Sequence, residues 1–336
     1  MERITIMGGG SWGTTLANLL AEKGYDVHLW AREEEVFQTI TASRENTLFL
    51  PNIRLNDNLT PHTDIAEAVT GSSIVLNVVP SHGVRDVFTK AKPFISKDAL
   101  VVSATKGIED VTLLTPSGVL KDVLKDMPYR AIAVISGPTF ASEVSRRLPA
   151  AAVAASDVLD AAQYAQQVFS APYFRVYAST DVIGVELGGA FKNVIAIASG
   201  ICDGIGLGAN ARAALITRGL AEISRLGMKL GANPQTLSGL SGLGDLVLTC
   251  TGPLSRNYST GIAIGRGRSV EQATGGNLTV AEGVKTSKGA SALASKTGVE
   301  MPITTEVYKV IYESKSPKDA AMELMGRNLR VELEGL

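Results

Sequence analysis

Cysteine and histidine are scarce in this chain of 336 residues, which contains two of the first and three of the second. Cys202 and Cys250 lie far apart and match no metal-ligand spacing, which argues against both a disulfide framework and a zinc site. His28, His62 and His82 form no metal-spaced set either, so no metal is expected. No charge of one sign dominates. The 32 Lys and Arg against 33 Asp and Glu leave a net charge of −1, too small a field to draw nucleic acid or an acidic membrane. Long apolar runs are also missing. Stretches such as residues 194–201 and 149–155 fall far short of the roughly 20 residues that span a bilayer. The first strand begins near Arg3, which leaves no space for a secretory leader. The expectation is a soluble cytoplasmic protein with small-molecule partners, no nucleic acid and no membrane insertion. Its length suits about two domains.

Glycine, in contrast, is placed with purpose. Residues 8–13 read Gly-Gly-Gly-Ser-Trp-Gly, after the apolar run Ile4-Thr5-Ile6-Met7 and before the helix-like Thr14-Thr15-Leu16-Ala17-Asn18-Leu19-Leu20. Gly8, Gly10 and Gly13 fit G-x-G-x-x-G. The first allows a tight turn, the second lets backbone approach a pyrophosphate, and the third permits close helix–strand packing. The phosphates would rest on a helix N-terminus, where free N–H groups and the helix dipole favour an anion. A lone triplet also marks ordinary turns, but a second strand, Tyr25-Asp26-Val27-His28-Leu29-Trp30, follows after one helix length. Where an acid usually takes the ribose 2′-hydroxyl of NAD, this strand ends Trp30-Ala31-Arg32. Arg32 suits a 2′-phosphate and favours NADP(H), although it also reads as part of a solvated helix start with Glu33, Glu34 and Glu35.

Runs suited to buried parallel strands recur at 74–79, 100–103, 131–135 and 174–177, separated by helix-like or polar segments. The alternation predicts an α/β chain: a doubly wound Rossmann domain over residues 1–180, with right-handed crossovers. Beyond Asp181 the strand signal ends. Leu215, Ile216, Leu220 and Ile223 lie at helical spacing, so residues 181–336 are expected to form a mainly α-helical domain.

A nicotinamide offers hydride chemistry, and the protein must add a proton donor and acceptor and a hold on the substrate. Lys192 follows small and apolar residues on an apolar helix, where burial would lower its pKa toward neutrality; an isolated lysine is otherwise usually solvated. Asp245, on a glycine-bounded turn, would orient Lys192 or a substrate hydroxyl, or would simply cap a helix. Ser255, Arg256 and Asn257 group a hydroxyl, a guanidinium and an amide suited to a phosphate or carboxylate, and also read as a surface turn. Lys106 lies just past the carboxyl end of a strand, where ligands of open α/β sheets bind. Gly137 and Thr139 follow the next strand, as binding groups or as a structural turn. His82 is a weaker acid/base candidate than Lys192.

Together, Gly8-Gly-Gly-Ser-Trp-Gly13, Asn77-Val-Val-Pro-Ser81, Lys106-Gly-Ile-Glu109, Gly137-Pro-Thr-Phe-Ala141, Gly189-Ala-Phe-Lys-Asn-Val194, Gly242-Leu-Gly-Asp245, Ser255-Arg-Asn257 and Ala281-Glu-Gly-Val284 closely resemble the bacterial NAD(P)-dependent glycerol-3-phosphate dehydrogenases over nearly the whole chain. The resemblance implies reversible reduction of dihydroxyacetone phosphate to sn-glycerol 3-phosphate for glycerophospholipid synthesis, with NADP(H) or NAD(H) as cofactor; a homodimer is the usual expectation for a symmetric soluble enzyme. It assigns Lys192 as general acid/base. It places Lys106, Gly137, Thr139, Lys192, Asp245, Ser255, Arg256 and Asn257 at the substrate. Gly8, Gly10, Ser11, Trp12, Gly13, Arg32, Phe49, Lys106, Ala141, Arg256, Val280 and Glu282 fall at the cofactor, Phe49 standing where tyrosine is frequent. Two rivals remain at this point. One is a related two-domain hydroxyacid or ketoacid dehydrogenase; the other is a non-catalytic NAD(P)-binding sensor, for which Lys192 would be dispensable.

Overall fold

The computed structural model describes residues 1–275, 281–329 and 331–332. It contains two compact units, Met1–Thr105 with Pro116–Val182, and Lys106–Thr115 with Ile183–Leu336.

The first unit is built on one eight-stranded sheet. Its strands are β1 (Arg3–Met7), β2 (Asp26–Trp30), β3 (Leu59–His62), β4 (Ile74–Asn77), β5 (Leu100–Ser103), β6 (Ala131–Ser136), β7 (Ala150–Ala155) and β8 (Phe174–Ser179). They lie in the order β3-β2-β1-β4-β5-β6-β7-β8. The order reverses between β1 and β4, which pair in parallel with Ile4 opposite Ile74 and Met7 opposite Asn77. Such a reversal opens a crevice at the carboxyl ends of the strands. β1 and β4 are buried along nearly their full length, as expected for strands covered by helices on both faces.

Two features differ from the sequence reading. The strands are not all parallel: β7 runs antiparallel to β6, with Val134 opposite Ala155, and β8 follows β7 in parallel. The β6–β7 connection holds only the four-residue helix Ala141–Val144, too short to carry the chain back across the sheet, so the chain turns and returns alongside β6. β3 and β7 were also not expected. β3 is a four-residue edge strand containing Pro61, and β7 is alanine-rich; both lack the β-branched signal that marks a strand.

The second unit is helical among its described residues. Its spine is α2 (Val182–Gly204), numbered after α1 (Ser11–Glu22) of the first unit. Contrary to the expectation from apolar run length, this 23-residue helix is long and apolar enough to cross a membrane. In its most apolar window, 94% of the residues are buried inside the protein, as in a core helix. Ala190, Phe191, Val194, Ile195, Ala196 and Ile197 anchor the unit's core. The segment 106–115 joins that core through Ile108, against which Gly289 packs with room for no more than a tight Cβ contact at 3.1 Å.

α2 crosses a short helix, α4 (Arg256–Gly265), almost backbone to backbone; α3 (Asp245–Thr251) lies between them in sequence. A Cβ on Gly200 would fall 2.0 Å from the Tyr258 carbonyl oxygen, and one on Gly261 would fall 2.2 Å from that of Ile197. Gly204 and Gly265 repeat the approach one turn later. Gly200→Ala must therefore push α2 and α4 apart. The expected loss is about 2 kcal/mol, seen as a lower thermal midpoint, and a variant that melts with the parent protein would contradict the close crossing.

Candidate active site

In the first unit, the turn after β1 has the geometry that each motif glycine implies. Gly8 has φ 129°, a conformation that L side chains rarely adopt, and its N–H donates to the Trp30 carbonyl at 3.0 Å. A Cβ on Gly13 would lie 1.9 Å from the Gly8 carbonyl oxygen, so α1 can approach β1 only with glycine there. Around Gly10 there is open space within 4 Å, and no side chain caps the helix. Uncapped first-turn N–H groups behind an open glycine fit a pyrophosphate. The Ser11 hydroxyl donates to the Phe49 carbonyl at 2.6 Å, which fixes the Phe49 segment against the turn. Trp12 packs its ring on Phe174, with centroids 6.2 Å apart. Thr15, one turn along, reaches the Ala141 carbonyl at 3.3 Å.

Arg32 stands just past β2 with its side chain 77% exposed, ion-paired to Glu33 at 2.8 Å. Glu33 occupies the N-cap position of the helix Glu34–Ser43 without capping it. Gly137 is required by packing, because a Cβ there would meet Ala152 Cα at 2.7 Å. The Thr139 hydroxyl folds back to the Gly137 carbonyl at 3.3 Å. His82 sits exposed in the single turn Ser81–Gly83.

The second unit brings together residues far apart in sequence. Gly188, one turn before Lys192 on α2, lies against the segment before α3; a Cβ there would be 2.5 Å from the Ser241 carbonyl oxygen. That segment is a π-helical turn, Leu240–Gly244, closed by the Gly244 N–H on the Gly239 carbonyl at 3.0 Å, and it runs directly into α3 with Asp245 at the first position. Gly244, not Asp245, holds the N-cap position, so the carboxylate is free for other partners. One oxygen, Oδ1, accepts from Lys192 Nζ, and the other, Oδ2, from Lys106 Nζ at 2.6 Å. Thr249, one turn along α3, donates its hydroxyl to the Asp245 carbonyl at 2.6 Å and lies 3.3 Å from Oδ1.

Asp245 and Lys192 are buried, and Lys106 is partly so. Burial pushes the Lys192 pKa down to about 7, with the Lys106 charge adding to the fall and Asp245 opposing it. The neighbouring Cys250 thiol is pushed up to about 12 by burial and so remains a neutral packing group. Ser255 caps α4 by accepting from the Tyr258 N–H at 3.2 Å, which leaves its O–H to donate elsewhere. Arg256 reaches solvent but is crowded by protein, which lowers its pKa against the raising effect of Glu282. Glu282 opens α5 (Glu282–Thr297). Val280 lies outside the described residues. Among the described residues, no group of three or more His, Cys, Asp or Glu could hold a metal ion.

Residues 3–162 match the model of the NAD-dependent glycerol-3-phosphate dehydrogenase N-terminus, and residues 181–322 match that of its C-terminus. The chain belongs to the NAD-dependent glycerol-3-phosphate dehydrogenase family. It is 54% identical over 331 residues to a glycerol-3-phosphate dehydrogenase (NAD(P)+) of Citrifermentans bemidjiense, covering 98% of this chain and 99% of that one. The same name belongs to a Geobacter sulfurreducens relative at 52% identity and the same coverage. The crystal structure of glycerol-3-phosphate dehydrogenase from Coxiella burnetii superposes with a TM-score of 0.93 at 40% identity, covering 97% of this chain and 99% of that one.

For a dehydrogenase of this family, the glycine turn fits the phosphates of the named dinucleotide. One residue beside Asp245 was not singled out from sequence. Thr249 is four positions after Asp245 on a helix, a spacing that puts both on one face and was the available signal. Asn193, next to Lys192, stood in the motif Gly189-Ala-Phe-Lys-Asn-Val194 with no role assigned to it. Removing the shared anion tests the cluster directly. Asp245→Asn leaves two ammonium groups without their partner, so Lys192 should titrate below about 7 and the protein should lose about 3 kcal/mol in chemical denaturation. Unchanged stability and an unchanged titration would show that the carboxylate does not hold the two lysines.

Proposed function

We propose that this protein is an NAD(P)-dependent sn-glycerol-3-phosphate dehydrogenase that reversibly reduces dihydroxyacetone phosphate and supplies glycerophospholipid synthesis. The observation that carries the reading is the buried Lys192 Nζ held on one oxygen of Asp245 while Lys106 holds the other, in a chain of this family, a setting in which burial lowers the Lys192 pKa. The first unit serves as the dinucleotide domain and the second as the substrate and catalytic domain. Gly8, Gly10, Ser11, Trp12, Gly13, Arg32, Phe49, Lys106, Ala141, Arg256, Val280 and Glu282 are assigned to the cofactor. Lys106, Gly137, Thr139, Lys192, Asp245, Ser255, Arg256 and Asn257 are assigned to the substrate. The exposed Arg32 guanidinium, with no carboxylate at the end of β2 itself, favours NADP(H) over NAD(H). The reading includes a cytoplasmic homodimer, since closed twofold assemblies are the commonest form of soluble enzyme.

A bound nicotinamide supplies the hydride in reduction and accepts it in oxidation. Lys192 Nζ gives its proton to the oxygen that becomes the alcohol, and in reverse its neutral amine takes that proton back. With a pKa of about 7, both forms are populated at working pH. Asp245 keeps the amine in one place. Lys106 and Arg256 supply positive charge for the phosphate, with the free O–H of Ser255 adding a directional donor. A sensor that only binds the dinucleotide has no use for an ammonium held in this way.

The deciding assay follows loss of NADPH and, separately, NADH when the purified protein meets dihydroxyacetone phosphate, with unphosphorylated dihydroxyacetone as control. Phosphate-dependent oxidation, faster with NADPH, is the expected result; no oxidation of either cofactor would overturn the reading. Lys192→Ala should lower turnover by about 10²-fold or more while NADPH still binds, and near-normal turnover would remove Lys192 from the chemistry. The pH profile has a fixed sign. Reduction needs the ammonium and should slow as pH rises through about 7, whereas oxidation needs the amine and should quicken over the same interval. A profile flat across that interval in both directions would contradict the assignment.

A further inference from the structure

The helix α5 begins beside the candidate cofactor residue Glu282 but cannot cap itself. Its N-cap residue, Ala281, has only a methyl group, and no side-chain cap is formed locally. An uncapped buried N–H is costly. The N–H of Gly283, in the first turn, donates instead to Asn257 Oδ1 at 2.9 Å, across from α4. Because a backbone N–H can only donate, the Asn257 atom facing it is the oxygen, which turns Nδ2 toward Asn193. That Nδ2 donates to Asn193 Oδ1 at 2.9 Å. Both amides are buried.

A second observation places two of these elements, α5 and α2, in contact. A Cβ on Gly283 would lie 2.5 Å from the Asn193 carbonyl oxygen, so the start of α5 rests on the α2 backbone one residue beyond Lys192. The Glu282 charge in turn acts on Arg256, the residue before Asn257. Lys192, Arg256 and Glu282 are thus each next in sequence to one member of a single buried chain, Asn193, Asn257 and Gly283.

We propose that Asn257, held by Asn193, is a positioning residue for the cofactor: it supplies in trans the cap that α5 lacks, and so orders Glu282 beside Arg256 in register with Lys192. The proposal rests on the reading of Glu282 and Arg256 as cofactor contacts. It gives Asn257 a use distinct from touching the substrate, and it brings Asn193 into the binding machinery.

Two full-length variants separate these uses. Asn257→Ala removes the acceptor, whereas Asn257→Asp keeps an oxygen for the Gly283 N–H and lets the Asn193 amide rotate to donate to it. NADPH affinity is measured by fluorescence titration with no triose phosphate present, and exchange of the Gly283 amide hydrogen is followed in the same proteins without NADPH. The expected result is an NADPH affinity about tenfold weaker in Asn257→Ala, with faster exchange at Gly283, and an affinity within about threefold of the parent in Asn257→Asp. An unchanged NADPH affinity in Asn257→Ala would overturn the proposal. So would a loss in Asn257→Asp as large as in the alanine variant, or a loss confined to the KM for dihydroxyacetone phosphate. If the alanine variant does not fold, the aspartate variant decides: retained NADPH affinity supports the cap, and a tenfold loss overturns it. Failure of the parent protein to bind NADPH would sink the dehydrogenase reading instead, and it is distinguishable because exchange at Gly283 is read without cofactor.

Discussion

One carboxylate shared between two ammonium groups organises the chemistry of the helical unit. Asp245 is fully buried, and each of its oxygens receives a different lysine, Lys192 from α2 and Lys106 from the segment that leaves β5. Two cations on one anion leave an excess of positive charge in a desolvated place. That excess and the burial together favour the neutral amine at Lys192, while Asp245 prevents the shift from running further. An ordinary lysine would be a permanent cation near pH 7. Burial draws this one down from the ordinary lysine range, and the proposed acid/base role depends on that shift.

The placement of these groups depends on backbone approaching backbone, not on side chains alone. α2 touches the π-helical turn before α3 at Gly188, α4 at Gly200, and the start of α5 near Asn193. Each contact leaves no room for a Cβ without displacement. The three places lie within four turns of one helix, so the groups carried by the surrounding elements, Asp245, Arg256 and Glu282, are set against a common reference that also bears Lys192. Small residues on an otherwise apolar helix thus serve precision at the site as well as packing of the core.

Much of this was legible in the sequence, for reasons that can be named. The dinucleotide turn is local: strand, glycines and helix lie within about 20 residues, and the structure shows the steric reason for glycine at Gly8 and Gly13, while a Cβ on Gly10 would meet only open space. Lys192 was open between a buried and a solvated lysine; the structure buries it, and burial lowers its pKa. Asp245 was not decidable, because capping and catalytic carboxylates share the same local setting. Only the long-range approach of Lys106 and Lys192 separates the two. Ser255 turned out to cap a helix, which does not prevent it from donating. β3 and β7 escaped notice because edge position and neighbouring strands, not β-propensity, make them strands. The reversal at β7 depends on how far a four-residue helix can carry the chain, and no residue pattern announces that. The buried Glu222, raised to about 7 by burial while it accepts the Ile303 and Thr304 N–H groups, was likewise invisible, since its partners lie about 80 positions away.

The most direct measurement is the titration of the Lys192 side chain itself, by NMR of a protein labelled at lysine, with Lys192→Arg used to assign the signal. A midpoint near 7, far below the usual lysine value, is the result the account predicts for a buried ammonium sharing Asp245 with Lys106. A midpoint near 10 would mean that Lys192 remains a cation at working pH, and the exchange of its proton with substrate would no longer be the basis of the chemistry.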